Sequence, residues 1–399
     1  MPLVRSDRSS HRFSLLLPVL ACLLLLVATA CGSSTSSTST SGDSTTTTGA
    51  GGTTPASTAA EGTPDASASS GATPSASTGS GAATPSAASS DVTLTLYSGQ
   101  HEDLAKALAK AFEQATGIKV EVRAGSDADL ANQIIEEGNR SKADLFMTEE
   151  PGQAAALDAQ GLFSPVDPST LALTDSRLNP KSGNWLAYAA RSRVIFYNPD
   201  LISEADLPQS IMDLTDPKWK GKFAYAPSGA FVSTVTYLIN TVGEDQTLEW
   251  LKGIKANGEN LQKNGAVRDA VEAGQIPFGL SNHYYWYILA QSKGGPDKMT
   301  SKVHFMSNDA GALLLASGAA VLKTSKHQAE AQQFLTWLAQ SDGGQKIIAT
   351  TTPQYPASLD VSSSMGLKPL SDLQPPDVDQ GTFGDVNKAK ELITEAGII

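Results

Sequence analysis

Residues 91–122 read DVTLTLYSGQHEDLAKALAKAFEQATGIKVEV, and the change of hydrophobic spacing along them decides the fold class. Val92, Leu94 and Leu96 alternate with Thr93, Thr95 and Tyr97, the two-residue period of a half-buried strand. Over 102–116 the apolar residues Leu104, Ala107, Leu108, Ala111 and Phe112 share one helical face, and Gly117 suits the end of that helix. Residues 118–122 return to an extended pattern. Leu130, Ile134 and Ile135 mark a second helix closed by Gly138; 143–147 reads as a third strand, and Pro151 fits the first turn of a further helix. Strand, helix, strand, helix, strand implies a parallel sheet with helices on both faces.

The alternation recurs downstream, giving an α/β chain long enough for two lobes. Strands are expected at 194–197, 222–226 and 276–280, with strand-like pieces at 313–316 and 319–322. Helices are expected at 229–242, 249–254, 285–290, 329–340 and 388–396.

Upstream, residues 32–90 are almost wholly Ser, Thr, Gly, Ala and Pro, too polar to form a core. They read as a tether with an r.m.s. span of roughly 40 Å. Residues 1–30 read as a leader: Arg5, Arg8 and Arg12 precede an apolar run that ends Val-Ala-Thr-Ala before Cys31. That ending resembles a bacterial lipobox, which makes Cys31 the expected lipidation site; the plainer alternative is a secretory leader with an incidental cysteine. Cys22 would leave with the leader, so the folded part has no disulfide and no thiolate metal site. The net charge is −12, and removing three Arg and one Asp with the leader makes it −14. Without a Lys/Arg cluster in the folded part, this balance speaks against a nucleic-acid partner.

Ligands of open α/β sheets bind beyond the carboxyl ends of strands. The first strand runs into Ser98-Gly99-Gln100-His101 and the third into Thr148-Glu149-Glu150, so an imidazole and a carboxylate can meet on one edge. The 276–280 strand runs into Ser281-Asn282-His283-Tyr284-Tyr285-Trp286-Tyr287. Phenolate is a hard anionic donor and a known iron ligand. One carboxylate and two phenolates carry three negative charges, enough to balance Fe³⁺, and hard oxygen donors disfavour soft metals. The same residues also suit plainer roles: a loop histidine, acids favoured at a helix start, and aromatic packing. Tyr225-Ala226-Pro227 leads into Ser228-Gly229-Ala230 at a helix start, where free amides can hold an anion or Ser228 can act as a cap. Arg191 and Arg193 are placed either to steady an anion or carboxylate, or to form surface ion pairs.

At these positions the chain resembles the bacterial ferric-ion-binding proteins, of the type II periplasmic-binding-protein class that serves ABC transporters. The likeness runs from about Val92 to the C-terminus. Gln-His at 100–101 and Asn-His-Tyr-Tyr-Trp-Tyr at 282–287 are its specific part; 111–120, 143–149, 217–222 and 228–231 carry patterns shared more widely in the class.

The resemblance implies two lobes with a ligand cleft between them: 91–190 with a return segment 313–365, and 191–312 with the C-terminal segment 366–399. It implies ferric iron held by His101, Glu149, Tyr284 and Tyr285. It also implies a synergistic phosphate or carbonate held by Ser228, Gly229, Ala230, Asn264 and Asn282. Glu150 departs from the family pattern, replacing an amide, and His283 stands where a second Asn is usual; either bears on anion choice or iron affinity. Some relatives lack the His and Glu ligands and use other tyrosines.

The expected function is capture without catalysis, since no Walker loop, His-Glu-x-x-His or paired-acid motif is present. The expectation is a monomeric, lipid-anchored, extracytoplasmic carrier that delivers iron to a membrane permease. The alternatives are a carrier of another small solute or anion, and a metal-dependent enzyme using the same ligands.

Overall fold

The computed structural model describes residues 91–399; the leader, Cys31 and the tether lie outside the described residues. The strands are β1 (Thr93–Ser98), β2 (Lys119–Ala124), β3 (Leu145–Met147), β4 (Leu186–Tyr197), β5 (Phe223–Tyr225), β6 (Glu259–Asn260), β7 (Phe278–Asn282), β8 (Lys302–His304), β9 (Leu314–Val321) and β10 (Tyr355–Pro356). The helices are α1 (Glu102–Thr116), α2 (Asp127–Glu137), α3 (Pro151–Ala159), α4 (Pro168–Leu171), α5 (Ala230–Val242), α6 (Glu244–Asn257), α7 (Asn264–Glu272), α8 (His283–Ser292), α9 (Gln328–Ala339), α10 (Gly344–Thr351) and α11 (Val386–Glu395).

The strands hydrogen-bond in the order β2-β1-β3-β9-β4-β7-β5-β6, with β8 and β10 also paired to β4. As the spacing implies, β1 runs parallel to β2 and β3, with Ser98 level with Met147. Likewise β5 runs parallel to β6 and β7. The two parallel groups are joined by antiparallel strands: β9 pairs with both β3 and β4, and β4 pairs with β7. The sheet is therefore mixed, not a repeat of one parallel pattern.

Two cores form because each parallel group buries its own helices. Leu94 and Leu96 of β1 meet Leu108 and Phe112 of α1 and Phe334 of α9. Phe223, Phe278, Phe231 and Trp250 pack at the other end with Leu392 and Ile393 of α11. The C-terminal helix therefore returns to the second group, and the 328–351 helices to the first. This α/β arrangement is the two-lobed type II periplasmic-binding-protein fold.

β4 is the longest strand and is buried throughout. Its residues 186–192 pair with β9, and its residues 193–197 pair with β7. One strand thus runs from the first group into the second.

Candidate functional site

A cleft of about 470 Å³ lies where the strand ends face one another. Gly99, Asp127, Glu149 and Glu150 line one side; Ser228, Gly229, Asn264, Asn282, Tyr284 and Tyr285 line the other.

His101 ends the β1 loop and opens α1. Its ring is mostly exposed, and Nε2 stands 3.5 Å from Glu149 Oε1. A chain of hydrogen bonds fixes the loop beneath it. The His101 amide donates to Gln100 Oε1 at 2.9 Å, and Gln100 Nε2 donates to the buried Tyr188 hydroxyl at 2.8 Å. Tyr188 in turn donates to the Thr148 carbonyl at 3.1 Å. The β1 and β3 loops are thereby tied to each other through β4.

Glu149 and Glu150 follow β3. Their backbone amides donate to the Asp127 carboxylate at 3.1 and 3.0 Å, and Ser317 Oγ donates to the Glu149 carbonyl at 3.0 Å. Asp127 fits only because residue 99 is glycine: a Cβ there would come within 1.7 Å of Asp127 Oδ1. Burial pushes the Asp127 carboxyl up to about 6, against the two amides that favour its ionised form. Sequence reasoning did not single out Asp127. The tight Gly99 and the Ser126 cap, which accepts the Asp129 amide, are the signals that were there.

Arg191 is 1 % exposed, so the surface ion-pair alternative does not hold. Its Nη1 stands 2.7 Å from Glu149 Oε1 and 3.2 Å from Glu150 Oε1. Burial alone would discharge it, but Glu150 and Glu149 hold the guanidinium above its ordinary range. Glu150 is pushed up to about 7 by burial, with Arg191 opposing. Arg193 is also buried and donates to Asn282 Oδ1 at 2.8 Å.

The strand expected at 276–280 is Phe278–Asn282, and the helix begins at His283. Tyr284 and Tyr285 therefore sit in the first turn of α8. Their rings stack with centroids 4.2 Å apart. Tyr284 also meets the His101 ring edge-on at 6.5 Å. Burial, reinforced by the Glu149 charge, raises the Tyr284 pKa above the phenol range. His283 turns away from the cleft instead of altering it. Its Nδ1 accepts the Ser192 amide at 3.1 Å, its ring stacks on Tyr355, and burial lowers its pKa to about 3. Its job is structural.

On the facing side, Phe231 and Val232 turn their amides onto the Ser228 and Gly229 carbonyls, leaving earlier amides at the α5 start without a helical acceptor. Gly229 has φ +55°, which a side chain would strain. Ala230 buries its methyl against Leu313, Leu315 and Phe383 and does not itself line the cleft. Asn264 Oδ1 accepts from Ser281 Oγ at 3.3 Å; with Asn282 bound to Arg193 through its oxygen, both Asn side chains keep an NH₂ group to donate.

The structure thus brings Glu149, Tyr284 and Tyr285 to one cleft, with His101 beside Glu149 at its margin and the α5 start at its edge. No group of three or more His, Cys, Asp or Glu side chains fit to hold a metal exists among the described residues.

The model of the bacterial extracellular solute-binding proteins matches residues 107–371. The chain is 39 % identical to the Fe(3+)-binding periplasmic protein of Serratia marcescens over 314 residues, covering 78 % of this chain and 93 % of that protein. It is 39 % identical to the major ferric iron-binding protein of Neisseria meningitidis over 318 residues, covering 79 % and 95 %. Among solved structures, iron-bound HitA from Pseudomonas aeruginosa superimposes with a TM-score of 0.70 at 42 % identity, covering 77 % of this chain and 99 % of that one. The Trichodesmium protein in complex with iron and citrate does so with a TM-score of 0.68 at 28 % identity, covering 76 % and 99 %. The chain belongs to the bacterial extracellular solute-binding proteins and, among them, to the ferric-ion-binding proteins.

Proposed function

We propose that the cleft captures a ferric ion between His101, Glu149, Tyr284 and Tyr285, and that the protein delivers it to an ABC transporter permease. The observation that carries this reading is the pair of stacked adjacent phenols facing the His101–Glu149 pair across the cleft. Two phenolates and a carboxylate neutralise Fe³⁺, the imidazole adds a neutral donor, and Arg191 pairs with Glu149 behind the site. The free amides at Ser228, Gly229 and Ala230, with Asn264 and Asn282, form a cradle for one anion, whether a phosphate, a carbonate or a carboxylate.

Capture and delivery outside the cytoplasm follow the family's role. The lobes are assigned as 91–190 with 313–365 and 191–312 with 366–399; the way α9 and α11 return to opposite cores supports that division. Cys31 is proposed as the lipid anchor of a monomeric carrier, with 32–90 as its tether.

Tyrosinate bound to Fe³⁺ absorbs visible light by charge transfer, which neither zinc nor an organic solute produces. Purified protein given ferric citrate should colour, and Tyr284→Phe and Tyr285→Phe should each weaken the band while staying folded by circular dichroism. Protein that stays colourless rejects the reading in favour of another solute; full colour in both variants rejects the assigned ligands.

A further inference from the structure

Glu150 crosses the cleft. It leaves the β3–α3 loop beside Glu149, yet its carboxylate lies against the opposite wall. Oε1 lies 3.5 Å from where a Cβ on Gly229 would stand. Oε2 is 3.5 Å from Ser233 Oγ, inside the first turns of α5. Arg191 Nη1 meets Oε1 from behind at 3.2 Å. A carboxylate of this chain is therefore already set at the helix start whose amides are left over for an anion.

We propose that Glu150 is a built-in anion, its carboxylate taking the place of a free phosphate or carbonate beside the captured ferric ion. The inference rests on the reading of the cleft as a ferric site. Two features favour it beyond position. Charge is the first: a free dianion would enter beside Glu149 and Glu150, which share Arg191 as their ion-pair partner, with Arg193 and Lys390 the further cations near the cleft. The second is linkage. Glu150 joins the loop that carries Glu149 to the wall that carries Tyr284 and Tyr285, so it helps close the cleft without a small molecule that can diffuse away.

The test uses the full chain and its Glu150→Gln variant. Both are loaded with ferric ion near neutral pH in carbonate-free buffer, with and without excess inorganic phosphate, then desalted. Iron and phosphorus are measured by elemental analysis, the charge-transfer band is recorded, and iron loss to a chelator is timed. The native chain should hold iron equally in both buffers, with phosphorus far below equimolar. The variant should carry phosphate with its iron and lose iron about tenfold to a hundredfold faster when phosphate is withheld, the worth of one charged hydrogen-bonding group. Equimolar phosphate on the native chain overturns the proposal. So does a variant that retains iron as well without phosphate, or one that phosphate cannot restore. A native chain that never colours with ferric ion removes the ferric reading itself, and this inference with it.

Discussion

Iron capture by this cleft should expel two protons per ion, and the pH dependence of affinity will reveal them. A tyrosine phenol keeps its proton at neutral pH. At Tyr284, burial and the nearby Glu149 charge push the pKa higher still. A ferric ion bound by phenolate must displace that proton, and the stacked Tyr285 supplies a second. Two displaced protons make the apparent affinity rise about a hundredfold per pH unit below the phenol range. Between about pH 8 and 9 Glu150, at about 7, is already largely ionised and adds little to the slope. Competition against a chelator of known proton balance gives the slope, and indicator dye in weak buffer counts the protons directly. Tyr284→Phe should cut the slope to about tenfold per unit and the count to one. A native slope of tenfold or less, or an unchanged slope in the variant, would refute paired phenolate ligation.

Three further outcomes follow from the surroundings of the cleft. Burial holds His283 at about 3, so the unfolded chain takes up a proton that the fold refuses, and stability falls as pH drops through the ordinary imidazole value. That loss comes to about 2 kcal/mol between roughly pH 7.5 and 5; urea unfolding of His283→Asn should show it gone, and an identical pH slope in both proteins would contradict the buried neutral imidazole. Arg191→Met leaves Glu149 and Glu150 without their buried partner and should cost about 3–5 kcal/mol in denaturant unfolding; a loss below about 1 kcal/mol would mean that water compensates the acids. Gly99→Ala sets a Cβ against Asp127, releasing the Glu149 and Glu150 amides; iron affinity should drop about tenfold to a hundredfold in chelator competition, and native affinity would show that Asp127 does not orient the acids.

The first three strands and their helices are legible because their signals are local. Each strand of that group pairs in parallel and each helix shows one apolar face. The joining strands are not legible in the same way. Only 194–197 of β4 stands out, because Val-Ile-Phe-Tyr is β-branched and aromatic; 186–193 is equally buried but rich in Ala and broken by Arg191 and Arg193, so it carries little strand signal. β9 looks like two pieces because Ser317-Gly318 resembles a break. Gly318 is there for close packing: a Cβ would lie 2.9 Å from Trp185 Cε3. α7 escapes notice because Asn264-Gly265 imitates a turn at its start. In the site, the residues at strand ends could be named from the sequence, because strand ends are where such sheets bind. Asp127 and Tyr188 could not. They act through main-chain groups of residues 22 and 40 positions away, and no spacing rule encodes that.

Arg191 and Arg193 lie two apart on β4, so they face the same side of the sheet. One meets the acids of the β3–α3 loop; the other holds Asn282, two residues before Tyr284. Between them, Ser192 gives its amide to His283, the residue that opens α8. Three consecutive residues of a single buried strand thus fix the carboxylate side and the phenol side of the cleft. A strand cannot alter the spacing of its alternate side chains without breaking its ladder, whereas loops can drift independently. The separation of Glu149 from the tyrosine pair is therefore set by β4, and the arginines have to be arginines. Both acids meet the single Nη1 of Arg191; a guanidinium keeps its charge at this depth, whereas a buried lysine ammonium readily loses its proton and would leave the two carboxylates unpaired.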